Sequence, residues 1–118
     1  MNKLTRDEVV DIITYAQSKS DNIYAFSKFM TTYYPTDFEI GSITSEDELL
    51  NEFEKRYVGE YDNDLDASFA LTQNGEMRDE FPEMEYDDMD MVACVLFYAD
   101  NAPYTYIDGY VFRNNIND

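Results

Sequence analysis

The chain has 118 residues, of which 44% are hydrophobic and 16% aromatic, and it carries a formal net charge of −18. Disordered acidic chains lack this apolar content, so the length and composition predict one folded domain over residues 1–118. The charge excludes direct binding to nucleic acid or to anionic membranes, because both surfaces are densely negative.

The sequence also indicates a compartment. It begins without the apolar run of a signal peptide, and no stretch approaches the roughly 20 apolar residues of a membrane span. Its single cysteine, Cys94, cannot form an intrachain disulfide. These features predict a protein of the cytoplasm, in a bacterial cell or a cell infected by a phage.

The negative charge is concentrated in the C-terminal region. Residues 1–45 have six acidic and four basic side chains, whereas residues 46–118 have twenty acidic and four basic ones. The net charge is therefore −2 in the near-neutral region and −16 in the acidic region. A domain needs a charge of magnitude only about 2–8 to stay dispersed, so the excess indicates a function beyond solubility.

The N-terminal region is predicted to be helical. Thr5 and Glu8 have the spacing of a capping box and open the first helix. Ser20 or Asp21 caps the second helix, which ends before Pro35 because proline disfavours helix at the residue that precedes it.

The middle of the chain is predicted to continue with two more helices. Residues 36–43 are expected to be extended or loop, and Ser45 with Glu48 repeats the capping signature at the start of the third helix. A turn is expected at Gly59, followed by a short helix over residues 62–72.

The C-terminal region combines a helix and a hairpin. Residues 76–85 are expected to form an acidic loop, and a helix then begins at Asp87 or Asp88. Its predicted buried stripe is Met89, Val92, Ala93, Leu96 and Phe97. Aromatic and β-branched residues flank Asp108-Gly109, which predicts a two-residue β-hairpin with a type I′ turn. The expected fold class is α+β, a mostly helical single domain with a small C-terminal β-hairpin.

Catalytic and metal chemistry is poorly supported by the sequence. The chain has no histidine, and Cys94 lies among apolar residues where a thiol is expected to be an inert core group. With 26 acidic residues, pairs of carboxylates arise by chance. We therefore expect no enzyme, no catalytic residue and no cofactor.

Residues 62–73 partly match the pattern of a calcium-binding loop. Asp62, Asp64 and Asp66 match its first three ligand positions, but Ala67 stands where the loop needs glycine and Gln73 where it needs glutamate. We therefore expect no metal site and keep a calcium-dependent module as a minor alternative.

The carboxylates carry the main functional hypothesis. They are interleaved with apolar residues that hold them on a folded surface, and sixteen net charges match roughly 27 Å of duplex DNA. The expected partner is the basic, nucleic-acid-binding surface of another protein, with tyrosines adding contact area. The predicted partner-binding residues are Asp62, Asp64, Asp66, Glu76, Asp79, Glu80, Glu83, Glu85, Asp87, Asp88, Asp90, Tyr61 and Tyr86. The alternative is that these carboxylates form ordinary solvated faces of the protein and bind no dedicated partner.

Three segments resemble the ArdA family of antirestriction proteins: GEYDNDLDASFAL (59–71), the helix MDMVACVLFY (89–98) and YIDGYVFRN (106–114). The resemblance is limited to residues 57–114. It implies a DNA-mimicking protein, commonly dimeric, made by phages and mobile elements, that occupies the DNA-binding surface of type I restriction–modification enzymes.

The chain departs from that family in two ways. ArdA proteins have further domains, whereas here residues 1–45 are nearly neutral, and MVACVLFY lacks the Arg-Asp pair of the family helix. We therefore expect a counter-defence protein whose target is a restriction–modification or BREX-type complex. The alternative is an inhibitor or adaptor that recognises a defence component by shape without mimicking DNA.

Overall fold

The structure is a computed structural model that describes residues 4–20, 22–73, 75–81 and 83–116. Helices make up most of these residues, and a three-stranded antiparallel sheet completes them, which confirms the α+β class. The chain forms two compact units, Met1–Lys55 and Arg56–Asp118. The boundary lies near the end of a helix and not at the charge break after residue 45, and one folding domain over residues 1–118 stays a prediction.

The first unit begins with α1 (Arg6–Lys19) and α2 (Ile23–Tyr33). The predicted capping box of α1 is confirmed, since the Glu8 amide donates to Oγ1 of Thr5 over 3.2 Å and the Thr5 amide to Oε1 of Glu8 over 3.1 Å. The predicted cap of α2 is wrong for Ser20, and Asp21 lies outside the described residues. Asn22 caps this helix instead, because its Oδ1 accepts from the Ala25 amide over 3.0 Å.

Two further helices complete the first unit, α3 (Asp37–Ile40) and α4 (Glu46–Arg56), whose last residue opens the second unit. The prediction of loop over 36–43 is wrong at α3, where Oγ1 of Thr36 accepts from the Glu39 amide and caps one helical turn. The cap of α4 is confirmed, since the Glu48 amide donates to Oγ of Ser45 over 3.2 Å. Three phenylalanines, with ring centroids 5.2–5.5 Å apart, pack in the core of this unit: Phe26, Phe29 and Phe53.

The second unit is built on a sheet of three strands. They are β1 (Tyr57–Glu60), β2 (Tyr104–Ile107) and β3 (Tyr110–Arg113), in the order β1-β3-β2. The predicted turn at Gly59 is wrong, because this residue pairs with Val111 inside β1. The predicted hairpin is confirmed: Ile107 pairs with Tyr110, and the two loop residues between them both have positive φ, 51° and 94°.

Helical segments cover this sheet. They are α5 (Asp64–Gln73), a 3₁₀ turn (Tyr86–Asp88), α6 (Met89–Ala93) and a π-helix (Cys94–Tyr98) that continues α6. All five residues of the predicted stripe are buried, with Ala67, Leu71, Tyr104 and Val111 as their neighbours in one core. The stripe therefore fixes which side of α6 and the π-helix faces solvent.

Candidate acidic binding surface

The end of β1 is tied to the tip of the hairpin. The amide of Tyr61 donates to the carbonyl oxygen of Gly109 over 2.7 Å. A Cβ at Gly109 would lie 3.1 Å from the Tyr61 carbonyl oxygen, and its φ of +94° also favours glycine. This contact brings the segment that starts at Asp62 beside Asp108 at the hairpin tip.

The first turn of α5 presents two carboxylates, Asp64 and Asp66. The side chain of Asn63 supports this turn, because its Oδ1 accepts from the Asp66 amide over 2.8 Å. Negative side chains at this position interact favourably with the positive end of the helix dipole. Local structure therefore favours two fixed negative charges here.

Two tyrosine hydroxyls hold these carboxylates from other segments of the second unit. Tyr98, at the end of the π-helix, donates to Oδ2 of Asp64 over 2.8 Å, and Tyr86 donates to Oδ1 of Asp66 over 2.6 Å. The ring of Tyr86 packs against Phe69 with centroids 5.6 Å apart. Hydrogen bonds to an ionised acceptor are the strong ones, so both carboxylates have defined positions.

The carboxylates raise the pKa of neighbouring tyrosines. The hydrogen bond to Asp64, with partial burial and the charge of that carboxylate, raises the pKa of Tyr98 to about 12. The hydrogen bond to Asp66 is the main cause of the raised pKa of Tyr86, to which the charge of Asp90 contributes. A negative charge makes a nearby phenol harder to ionise, so the carboxylate charges add to shifts whose main cause is the hydrogen bond.

The charges of nearby aspartates also affect Tyr106 in β2. Its pKa is raised first by burial and then by the charges of four aspartates: Asp64, Asp62, Asp108 and Asp66. We define the acidic–tyrosine surface by the residues that these contacts and charges connect: Asp62, Asp64, Asp66, Asp90, Asp108, Tyr86, Tyr98 and Tyr106.

Glu76 lies outside the acidic–tyrosine surface and makes contacts within the second unit. Its carboxylate accepts from Nε of Arg113 over 3.0 and 3.1 Å and from the hydroxyl of Tyr104. Burial alone would raise the pKa of Glu76, but the bonds from Arg113 and Tyr104 and the arginine charge outweigh it and hold the pKa below its usual value. This carboxylate connects the segment after α5 to the hairpin, within the second unit.

The other six predicted carboxylates are scattered along the segment that joins α5 to α6. Asp79, Glu80, Glu83 and Glu85 are exposed, and within the described residues their side chains make no hydrogen bond to the acidic–tyrosine surface. Asp87 and Asp88 are exposed on the 3₁₀ turn, where Oδ2 of Asp88 accepts from the Glu85 amide over 3.1 Å. Tyr61 packs its side chain against the core.

Sequence reasoning missed three members of this surface: Asp108, Tyr98 and Tyr106. The Asp-Gly turn signal places Asp108 at an exposed hairpin tip, and this signal could have added it to the candidate residues. No comparable signal exists for the two tyrosines, because Asp64, which affects the pKa of both, lies in α5, more than thirty residues earlier in the chain.

The predicted burial of Cys94 is wrong, since its side chain is exposed. The residue precedes Val95 on the outer side of the helix, while Ala93 and Leu96 face the core. Its apolar neighbours in sequence therefore do not surround it in space. Among the residues that the structure describes, no group of three or more histidine, cysteine or acidic side chains is arranged to hold a metal ion.

Within the described ranges, no helix is long and apolar enough to cross a lipid bilayer. No family model matches the sequence, and neither the curated proteins nor the solved structures contain a match.

Proposed function

We propose that this chain is a counter-defence protein of a phage or mobile element, acting in the cytoplasm of a bacterial host. It inhibits a DNA-handling defence complex, of the restriction–modification or BREX type, by stoichiometric binding and not by catalysis. The observation that carries the proposal is the acidic–tyrosine surface, where two tyrosine hydroxyls fix the carboxylates of Asp64 and Asp66.

The charge of the second unit fits a basic partner. Residues 56–118 have fifteen acidic side chains and three arginines, a net charge of −12, which corresponds to about 20 Å of duplex DNA. Arg56 donates to the carbonyl oxygens of Arg113 and Asn114, and Arg113 donates to Glu76. Two of the three arginines thus serve contacts within the unit.

Fixed carboxylates suit the replacement of phosphates on a protein surface that binds DNA. A flexible acidic tail loses conformational freedom when it binds, whereas preorganised charges lose less. The resemblance of residues 57–114 to ArdA proteins supports the same function and suggests a homodimer. Two copies would carry twice the net charge and so correspond to twice the length of duplex DNA.

A phage plating experiment tests this function. The wild-type chain and an Asp62→Asn, Asp64→Asn, Asp66→Asn variant would be expressed in bacteria with a type I restriction system, a BREX system or neither. We expect wild-type expression to restore plaquing of unmodified phage in one of the defended strains, and the variant to restore it less. No rescue in either strain would contradict the proposal.

A second candidate function has an observation of its own in the first unit. Phe38 is 88% exposed and Tyr24 71% exposed, in the less charged region of the chain. Exposed aromatic side chains are favoured in interfaces recognised by shape. If these residues bind the target, Phe38→Ser should abolish rescue of plaquing, and the aspartate variant should act as the wild type does.

A further inference from the structure

An exposed apolar stripe runs along the outer side of α6 and the π-helix. Met91 is 64% exposed, Val95 46% and Tyr98 60%, and the Cys94 side chain is also exposed. These positions follow each other at three- and four-residue steps, so they lie on one side of the helix. We name Met91, Cys94, Val95 and Tyr98 the 91–98 stripe.

The helix cannot turn to bury this stripe. Its opposite side carries Met89, Val92, Ala93, Leu96 and Phe97, all of which lie in the core of the second unit. Rotation would expose five core side chains in exchange for four surface ones. The 91–98 stripe is therefore a stable surface feature.

The ends of the stripe are acidic. Asp88 and Asp90 are exposed at its start, and at its other end the hydroxyl of Tyr98 donates to Asp64. A purely apolar partner would bury these carboxylates without compensation, and a second copy would bring like charges together. Charge complementarity selects a partner that combines apolar side chains with lysine or arginine.

We infer that the 91–98 stripe is the apolar anchor with which this protein binds a basic, amphipathic protein segment. The inference deepens the proposed function and rests on it, because it takes the partner to be a basic protein surface. The stripe spans about 10 Å of helix, which suits a central hot spot with a charged rim and not a whole interface.

The apolar anchor would let this protein select one basic partner among many, which charge alone would not do. Many DNA-binding proteins present a basic groove, and a surface of carboxylates alone would attract them all. A basic surface with an apolar pocket beside it fits both the acidic–tyrosine surface and the stripe. The inferred target therefore differs from other DNA-binding proteins in having apolar side chains beside its basic groove. Duplex DNA does not contact those side chains.

Two synthetic helical peptides test the inference on the full chain. Both have the same number of lysines, and one has leucines at positions i, i+3, i+4 and i+7 where the other has alanines. Affinities and backbone amide shifts would be measured by NMR titration of the isotope-labelled protein. We expect the leucine peptide to bind about tenfold more tightly and to shift the amides of residues 91–98.

A pair of variants provides the control. Met91→Gln with Val95→Gln should remove the advantage of the leucine peptide, while Val10→Gln in α1 should keep it. Val10 is 44% exposed and Val95 46%, so the two valines are closely matched. Circular dichroism would verify that each variant is folded.

Equal affinity for the two peptides, no binding by either, or an advantage that survives in Met91→Gln, Val95→Gln would overturn the inference. Equal affinity with amide shifts confined to residues 62–66 would remove the anchor and leave the proposed function standing. Failure of the proposed function is observed separately, in the plating experiment.

Discussion

The hydroxyl of Tyr98 donates to Oδ2 of Asp64 over 2.8 Å, although the two residues are 34 positions apart. Tyr98 ends the π-helix and Asp64 begins α5. This bond fixes a carboxylate on the acidic–tyrosine surface and joins that surface to the 91–98 stripe. The charged and apolar regions of the candidate interface therefore share one residue.

The first prediction concerns the ionisation of Tyr98. Asp64→Asn should lower the pKa of Tyr98 from about 12 toward the ordinary value of 10.0, because it removes a negative charge and weakens the hydrogen bond. Absorbance of tyrosinate at about pH 11 would then rise in the variant. Tyr98→Phe, which lacks the hydroxyl, identifies the signal, and an unchanged titration in Asp64→Asn would contradict the structure.

The same bond predicts a loss of stability at high pH. The pKa of Tyr98 is raised on folding, so its contribution is present below about pH 10 and is lost as the pH rises toward 12. Tyr98→Phe should reduce the slope of unfolding free energy against pH in this range. Urea unfolding at several pH values measures that slope.

The second prediction concerns the charge of the acidic–tyrosine surface. Replacing Asp62, Asp64 and Asp66 by asparagine should weaken binding to a basic partner and lower its dependence on salt, because exposed charges are screened. It should leave the fold intact, because relief of the repulsion between like charges offsets the weaker hydrogen bonds from Tyr86 and Tyr98. A control variant with the same net charge neutralises three exposed acids of α1 and α4: Asp7, Asp11 and Asp47. If both triple variants bind alike, the position of the charge does not matter and the account is wrong.

The third prediction concerns the Glu76–Arg113 ion pair. Glu76→Gln should destabilise the protein by about 1 kcal/mol at neutral pH, a small value because both side chains are about one-third exposed. The pKa of Glu76 is lowered on folding, so its contribution is present above the ordinary value of 4.5 and is lost as the pH falls through the folded value. The difference between wild type and variant should therefore shrink in acid. A constant difference down to about pH 3 would contradict this role.

The fourth prediction concerns the hairpin turn. Gly109→Ala should destabilise the protein by about 1 kcal/mol or more, because φ is +94° and the added Cβ would lie 3.1 Å from the Tyr61 carbonyl oxygen. Gly41 is the matched control: its φ is −64°, and a Cβ there has ordinary contacts at 3.4 Å. Chemical unfolding should separate the two variants, and equal stability would contradict the described turn.

Local patterns predicted local structure well. The caps of α1 and α4 and the Asp108-Gly109 turn depend on residues within four positions of each other, and all three are confirmed. The buried stripe of α6 and the π-helix follows from helical periodicity. These features require no knowledge of distant segments of the chain.

Long-range pairing could not be predicted in the same way. Glycine is typical of turns, which is why a turn was expected at Gly59. This residue lies in β1 because β3, some fifty residues later, supplies its pairing partner. Glu76 was assigned to the partner-binding set from its charge, and its bonds to Tyr104 and Arg113 depend on tertiary structure. The prediction for Cys94 failed because it counted neighbours in sequence and not the side of the helix.

A capture experiment with competition by duplex DNA tests whether the carboxylates occupy the nucleic-acid site of a defence protein. The immobilised wild-type chain and the Asp62→Asn, Asp64→Asn, Asp66→Asn variant would be exposed to lysate from the strain in which plaquing is rescued. Bound proteins would be eluted with duplex DNA and identified by mass spectrometry. We predict that DNA releases a component of the defence complex from the wild type and that the variant retains less of it. A defence component that stays bound despite excess DNA, or that binds both proteins equally, would contradict the claim that carboxylates occupy its nucleic-acid site.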